Sequence, residues 1–199
     1  MTLPEHAVCS LMIAQAGVRE RFGTRGVLAV TVAGISPDLD TAAKLVSDDS
    51  FWRLHHALGH SLLSITVLAV IVAAVSCRCS KNMNFRPVFG WCLIAAFVHC
   101  LTDSLYWWGV QPLWPFSEWE VCFEILEYLD LIVLSIWFGG AVWLWRKRDR
   151  PRAIAMTTLG IFSGYVVLRA WLPAPQGIFQ TVTGGWMYDL PSGTIFDWW

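Results

Sequence analysis

Side chains that commonly bind metal ions occur in four short groups along this chain. They are His6; Asp38 with Asp40; His55, His56 and His60; and His99 with Asp103. The surrounding sequence is strongly apolar, and ionisable groups in such sequence are costly near lipid and tend to mark function. Imidazole and carboxylate ligands suit zinc, manganese or iron. The sequence therefore predicts a site for a divalent cation.

His99 and Asp103 are four residues apart in a stretch that is otherwise typical of a helix. Their side chains should therefore share one helix face. An imidazole and a carboxylate placed in this way can bind one cation. The alternative is a simple hydrogen bond between them at a helix end.

The three histidines between residues 55 and 60 offer two pairings. His56 and His60 have the spacing with which a helix presents two histidines to one metal. His55 lies five residues before His60 and would be roughly 140° away around a continuous helix. For His55 and His60 to share an ion, the helix must begin between them, or the ion must lie beyond its end. The spacing alone leaves both pairings open.

Asp38 and Asp40 follow Pro37, which disfavours helix at the preceding residue. Alternate carboxylates in an extended segment point to one side, so both could face one ion. The alternative is that one of them caps a following helix near residues 41–47. His6 alone is a weak signal, because a histidine near a terminus is usually solvated.

A further acidic face is predicted from Glu124, Glu127 and Asp130. Glu127 and Asp130 are three residues apart and could reach the same site. We expect them instead to pair with Arg169, because a charge deep in an apolar helix needs a partner.

The composition predicts an all-α membrane protein. The 199 residues are 56% hydrophobic and 15% charged, against about 45–50% and about 25% in soluble domains. We expect a single helical membrane domain over residues 1–199. The net charge of −1 gives no basic face for nucleic acid, so the expected partner is the lipid bilayer.

Four long apolar stretches each approach the roughly 20 residues of a bilayer crossing. They are residues 60–77, 88–105, 124–145 and 153–172. Two shorter stretches, 7–18 and 26–36, either cross as thin spans or form a re-entrant hairpin covered by protein. The expected fold is thus a polytopic helical protein with six spans, or with four spans and a re-entrant hairpin.

Basic residues alternate between the connections. Segments 19–25 and 78–86 hold three Lys or Arg each and segment 146–152 holds five, whereas 106–121 and the tail from 173 hold none. Basic loops face the cytoplasm, so the candidate ligands should lie near the external face. Segment 106–119 is rich in Trp and predicts an interfacial loop in which Trp107, Trp108 and Trp114 cover the site. The tail 173–199 should lie along the membrane surface or over the site.

The ordered set of motifs resembles the YdjM-like family of LexA-regulated, inner-membrane, metal-dependent hydrolases. The matching pieces lie within residues 5–117: an early His6, Pro37-Asp38-Leu39-Asp40, His55 with His60-Ser61, His99 with Asp103, and the segment from Gly109 to Phe116. The family has an arginine where this chain has His56. The resemblance therefore favours His55 and His60 as ligands and leaves His56 beside the site.

The resemblance implies a protein of the bacterial inner membrane, and the apolar stretches and basic loops lead us to expect a multi-pass chain with its site facing outside. From the ligand types and the resemblance together we expect one or two divalent ions (zinc, manganese or iron) held by seven ligands: His6, Asp38, Asp40, His55, His60, His99 and Asp103. The expected catalytic residues are Asp38, Asp40, His60 and Asp103. The expected reaction is hydrolysis of a phosphoester in an amphiphilic substrate such as a phospholipid or a polyprenyl phosphate. The alternative is a non-enzymatic protein that binds or transports a metal.

Overall fold

A computed structural model of the chain describes residues 1–45, 57–80 and 82–172, with the side chains of Asp40 and residues 42–45 outside the described part. Six α-helices are described: α1 (Leu3–Gly17), α2 (Arg19–Ile35), α3 (Leu62–Arg78), α4 (Phe85–Asp103), α5 (Leu131–Arg146) and α6 (Pro151–Trp171). A 3₁₀ helix, Ser36–Leu45, follows α2. The described residues contain no strand, only an isolated bridge between Val110 and Val121. The predicted all-α fold is confirmed.

Local polar contacts fix where the helices begin. The Glu5 carboxylate accepts hydrogen bonds from the backbone nitrogen and the hydroxyl of Thr2, both at 2.7 Å, and so starts α1. The Ser61 hydroxyl accepts from the backbone nitrogen of Ser64 and starts α3. The Asp130 carboxylate accepts from the backbone nitrogens of Ile132 and Val133 and starts α5. Charged and hydroxyl side chains thus set the borders of apolar helices.

Several of the helix borders predicted from the sequence are wrong. The stretch 124–145 is not one span, because α5 begins only at Leu131 after its Asp130 cap, and Glu124 and Leu129 have positive φ angles. The two short N-terminal stretches belong to longer helices of 15 and 17 residues. The Pro37–Asp40 segment is 3₁₀ helix and not extended.

The prediction of four long spans is not supported. Among the described residues, α4 and α6 are long and apolar enough to cross a membrane, judged by length and composition. The apolar helices α3 and α5 have 17 and 16 residues, short of the roughly 20 that a crossing needs. The predicted tail over residues 173–199 lies outside the described residues.

The six helices form three hairpins, α1–α2, α3–α4 and α5–α6. The three basic segments lie where the hairpins reverse direction and meet at one end of the bundle; in the first, 19–25, the reversal is a break within α2 at Gly23, whose φ and ψ angles are not helical. Arg25 of the first segment donates a hydrogen bond to Ser80 of the second, and Arg152 of the third pairs with Glu20 of the first. We call this the basic end and the opposite end, where the hairpins open, the ligand end.

Small residues let the hairpins pack closely. Ala29, Ala33, Ala69, Cys92 and Ala95 are buried between α2, α3 and α4, as is usual where membrane helices approach each other. At Gly34 an added Cβ would lie 2.0 Å from the Ser10 hydroxyl oxygen, so α1 and α2 touch at this position. This close contact lies directly below the candidate ligands.

Candidate metal centre

The candidate ligands come from four places in the sequence and meet at the ligand end. His6 lies in the first turn of α1 and Asp38 in the 3₁₀ helix after α2. His60 lies in a turn just before α3, and His99 and Asp103 lie in the last turns of α4. Each position is at the open end of a hairpin. The fold therefore brings together residues that are up to 97 positions apart in the chain.

The Asp103 carboxylate lies at the middle of the cluster. Its Oδ1 is 3.0 Å from His6 Nε2, and its Oδ2 is 3.2 Å from the Nε2 atoms of both His60 and His99. Asp103 and the three imidazoles are almost completely buried. A buried carboxylate needs positive or hydrogen-bonding partners, and here three imidazoles supply them.

Asp38 completes the cluster from a different side. Its Oδ1 lies 3.5 Å from His99 Nε2 and 3.8 Å from His60 Nε2. Burial would raise the pKa of Asp38, but the hydrogen bond and charge of His99 outweigh it and hold this pKa below its ordinary value. Asp38 therefore faces the histidines as a carboxylate, from its position in the first turn of the 3₁₀ helix.

The ring nitrogens of His60 and His99 face each other in a way that favours a shared cation. Their Nε2 atoms are 3.1 Å apart. His99 Nδ1 lies 2.7 Å from the Gly34 carbonyl oxygen, to which its N–H can donate a hydrogen bond. The Nε2 lone pair of His99 then points into the cluster. Such a backbone acceptor is the usual device for orienting a histidine ligand.

His6 is held by stacking. Its ring lies on that of His99, with centroids 3.6 Å apart and planes inclined by 19°. His6 Nδ1 is buried and has no hydrogen-bond partner within residues 1–45, 57–80 and 82–172. The His6 Nε2 atom is therefore the one that can bind an ion beside Asp103.

The donor atoms fit a cation by distance and by charge. One ligand atom from each of His6, Asp38, His99 and Asp103 lies within 4.8 Å of all the others. Nitrogen and oxygen ligands at about 2.0–2.2 Å from an ion lie about 3.0–3.5 Å from each other, which is close to most of the observed separations.

Five of the seven predicted metal ligands converge: His6, Asp38, His60, His99 and Asp103. His55 and the neighbouring His56 lie outside the described residues, and so does the Asp40 side chain. His60 lies in a turn directly before α3, which begins at Leu62. Because His55 and His56 lie outside the described residues, both pairings with His60 stay predictions.

One member of the predicted acidic face, Glu127, has the expected partner beside the cluster. Arg169 Nη2 lies 3.6 Å from Glu127 Oε1, which confirms that pairing. Asp130 instead accepts a hydrogen bond from the Tyr165 hydroxyl at 2.6 Å. These contacts join α6 to the start of α5 and leave Glu127 out of the cluster.

The predicted aromatic cover agrees with the structure only in part. Trp108 stacks on Tyr106, with ring centroids 5.1 Å apart, and Tyr106 is buried close to Asp103. Burial raises the pKa of Tyr106, and the nearby acids Glu5, Asp103 and Asp130 add to this. Trp107 is exposed, and a cover formed by Trp107 and Trp114 stays a prediction.

The sequence alone does not predict that Gly34 and Tyr106 lie beside the cluster. The role of Gly34 depends on its carbonyl and on its close contact with Ser10, which residue type does not reveal. The one available signal was the small-residue run Ala33-Gly34 directly before Ser36-Pro37-Asp38. Small residues of this kind mark close helix packing in membrane proteins.

Comparison with known proteins gives a family. The model of a family described as "YdjM inner membrane protein" matches residues 1–174. An uncharacterized protein of Bacillus subtilis (strain 168), YfhP, is 26% identical over 144 residues, which are 72% of this chain and 44% of YfhP. The chain thus spans less than half the length of this curated relative. No solved structure matches the chain.

Proposed function

Because this chain belongs to the YdjM inner membrane protein family, we propose that it is a membrane-embedded, metal-dependent hydrolase. The observation that carries the proposal is the convergence of three imidazoles and two carboxylates on one buried point. Their ring nitrogens and carboxylate oxygens are 3.0–3.8 Å apart. Clusters of this kind are expensive to bury without a cation.

The ion would be held by His6, Asp38, His60, His99 and Asp103. A divalent ion in such a site polarises a phosphoryl oxygen and supplies a nucleophilic water near neutral pH. The Gly34 carbonyl keeps the proton of His99 on Nδ1. Asp38 is the most accessible of the five side chains, at 11% exposure, and can orient the attacking water as a hydrogen-bond acceptor.

The five described ligands are enough for one ion. A second ion would need further ligands, and Asp40 and His55 are the nearest candidates in the sequence. Two ions about 3.5–4 Å apart are usual in phosphoester hydrolysis, because they hold both the attacking and the leaving oxygen. We therefore propose one ion in the described cluster and Asp40 and His55 as the ligands of any second.

We propose that the chain crosses the membrane several times and that the ligand end faces outside. The three basic segments meet at the other end of the bundle through the Arg25–Ser80 and Arg152–Glu20 contacts. Basic connections favour the cytoplasmic side. Grouping of all three at one end supports a single orientation for the whole bundle.

An amphiphilic substrate is favoured by the surface beside the site. The loop after α4 exposes large aromatic side chains, among them Phe116 at 85% and Trp119 at 60%. Exposed aromatic residues suit the headgroup region of a bilayer. The proposed substrate is therefore a phosphoester such as a phospholipid or a polyprenyl phosphate.

A transport function is less well supported. Within the described residues, the buried acids and histidines all lie at the ligand end: Glu5, His6, His60, His99 and Asp103. Towards the basic end, the buried residues between α2, α3 and α4 include Val27, Ala73 and Val88. A path for an ion across the bilayer would need polar groups along its length.

The test is hydrolysis by protein purified in detergent, stripped with a chelator and reloaded with zinc, manganese or iron. Release of phosphate from phosphatidic acid and from a polyprenyl phosphate in mixed micelles should return with one of these metals. The Asp103→Asn variant should not release phosphate. The Asp149→Asn variant should release phosphate as the wild type does, because Asp149 is an exposed acid at the basic end. Metal-loaded protein that hydrolyses neither substrate would support the non-enzymatic alternative.

A further inference from the structure

A cavity lies at the basic end, away from the metal cluster. It has a volume of about 360 Å³ and lies between the end of α1, the start of α4 and the start of α6. Ala16, Gly17, Trp91, Met156 and Leu159 line it, together with Arg152. The lining is thus apolar except for one guanidinium group.

The floor of this cavity depends on a glycine. A Cβ added at Gly17 would lie 2.2 Å from the Trp91 ring, so the missing side chain lets the indole lie directly against α1. Indole rings favour the headgroup depth of a bilayer, and here the indole lines the same cavity as the Arg152 guanidinium.

Arg152 brings a positive charge to the cavity. It belongs to the segment 146–152, which holds five basic residues, and its ion pair with Glu20 joins it to the segment 19–25, which holds three more. The ion pair of Arg152 with Glu20 is exposed, at 62% and 70%, and such pairs contribute little. The Arg152 guanidinium can therefore exchange this partner for a phosphate, which it can bind through two parallel hydrogen bonds.

We propose that this cavity binds one anionic phospholipid, with an acyl chain between α1 and α6 and the phosphate at Arg152. Its volume is at the lower end of the roughly 300–1,000 Å³ of small-molecule pockets, which suits one acyl chain and not a whole two-chain lipid. Met156 is 57% exposed on the outer face of α6, so the cavity opens towards lipid. Basic pockets between membrane helices are known binding places for anionic headgroups.

The experiment is native mass spectrometry of the full chain with phosphatidylglycerol or phosphatidylcholine of the same acyl composition. The wild-type protein should retain one phosphatidylglycerol and release phosphatidylcholine under the same conditions. Arg152→Gln should weaken phosphatidylglycerol retention about tenfold, the usual effect of losing a charged hydrogen bond. Met156→Trp should weaken it too, by filling the cavity.

Arg148→Gln is the matched control, because Arg148 is an exposed arginine of the same segment and does not line the cavity. It should bind phosphatidylglycerol as the wild type does. Equal loss in Arg148→Gln and Arg152→Gln would mean diffuse charge attraction and would overturn the proposal. Displacement of the lipid by glycerol 3-phosphate alone would overturn the acyl-chain site. Circular dichroism of each variant should match the wild type, and because the variants lie at the basic end, their metal content should not change.

Discussion

Single side chains determine whether the cluster can hold an ion. Asp38 is held in its ionised form by His99, and Asp103 touches three imidazoles. Both carboxylates thus face the imidazoles of the cluster, where they could hold a cation.

Replacing Asp38 by Asn should weaken metal binding while leaving the shape of the site intact. The change removes one negative charge 3.5 Å from His99 Nε2. We expect the affinity for zinc to fall at least as far as the roughly 10–100-fold that loss of an outer partner costs. Titration of chelator-stripped protein with zinc measures it, and Asp149→Asn should leave the affinity unchanged. An unchanged affinity in Asp38→Asn would remove Asp38 from the ligands.

Metal affinity should fall as the pH is lowered from about 7.5 to about 5.5. Imidazoles bind a metal only when neutral, and their ordinary pKa is about 6.5. Protons therefore compete with the ion more strongly as the pH falls below this value. The carboxylates ionise at lower pH and do not set this dependence. Zinc titrations at several pH values measure it, and an affinity independent of pH would argue against ligation by histidine.

At the scale of helices, close packing positions the ligands. Gly34 lets α2 touch α1 at Ser10 and α4 at Ala95, and its carbonyl orients His99. The same glycine therefore controls the distance between His6 and His99. A change at Gly34 should therefore alter both the packing of the helices and the positions of the ligands.

Gly34→Ala should lower both the melting temperature and the metal content. The new Cβ would lie 2.0 Å from the Ser10 hydroxyl oxygen and 3.2 Å from the Ala95 Cβ, so the helices must separate. Such overpacking typically costs about 1–3 kcal/mol. Thermal unfolding and elemental analysis measure the two effects.

The matched control is Gly90→Ala in α4, where nothing lies within 4 Å of the added carbon. It should keep its metal and unfold at the same or a higher temperature, because alanine favours helix by about 1 kcal/mol over glycine. Equal loss of metal in both variants would contradict the packing argument.

The sequence predicts those parts of the site that depend on neighbouring residues of one helix. The four-residue spacing of His99 and Asp103 is such a case, and their predicted place on one helix face agrees with the structure. The all-α fold followed from apolar stretches of helical length. The start of α5 was misplaced because apolar residues before Leu131 resemble helix until the Asp130 cap is considered. The contact of Gly34 with Ser10 joins two helices and has no counterpart in spacing.

The two ends of the molecule carry different kinds of side chain. The ligand cluster and the exposed aromatic loop lie at one end, and the three basic segments lie at the other. This separation underlies both proposed sites, because a metal site needs buried ligands and an anionic lipid needs arginines. It also gives the bundle a definite expected orientation.

The orientation is testable by cysteine labelling. Cys79 is exposed at the basic end, and Phe116 is exposed at the ligand end. In a variant retaining Cys79 as its one cysteine, a membrane-impermeant maleimide should react only after the cells are opened. In a variant with Phe116→Cys as its one cysteine, the protein should be labelled in intact cells whose outer membrane has been made permeable to the reagent. The reverse pattern would place the metal site in the cytoplasm.

The central claim is that distant histidines and aspartates bind one cation together. The most direct measurement is X-ray absorption at the metal edge of zinc-loaded protein, with elemental analysis of the same sample. We predict at least one zinc per chain, bound by nitrogen and oxygen at about 2.0–2.2 Å with imidazole signals, and loss of the metal in Asp103→Asn. Zinc bound through sulfur at about 2.3 Å, or no stoichiometric zinc in the wild type, would contradict the account.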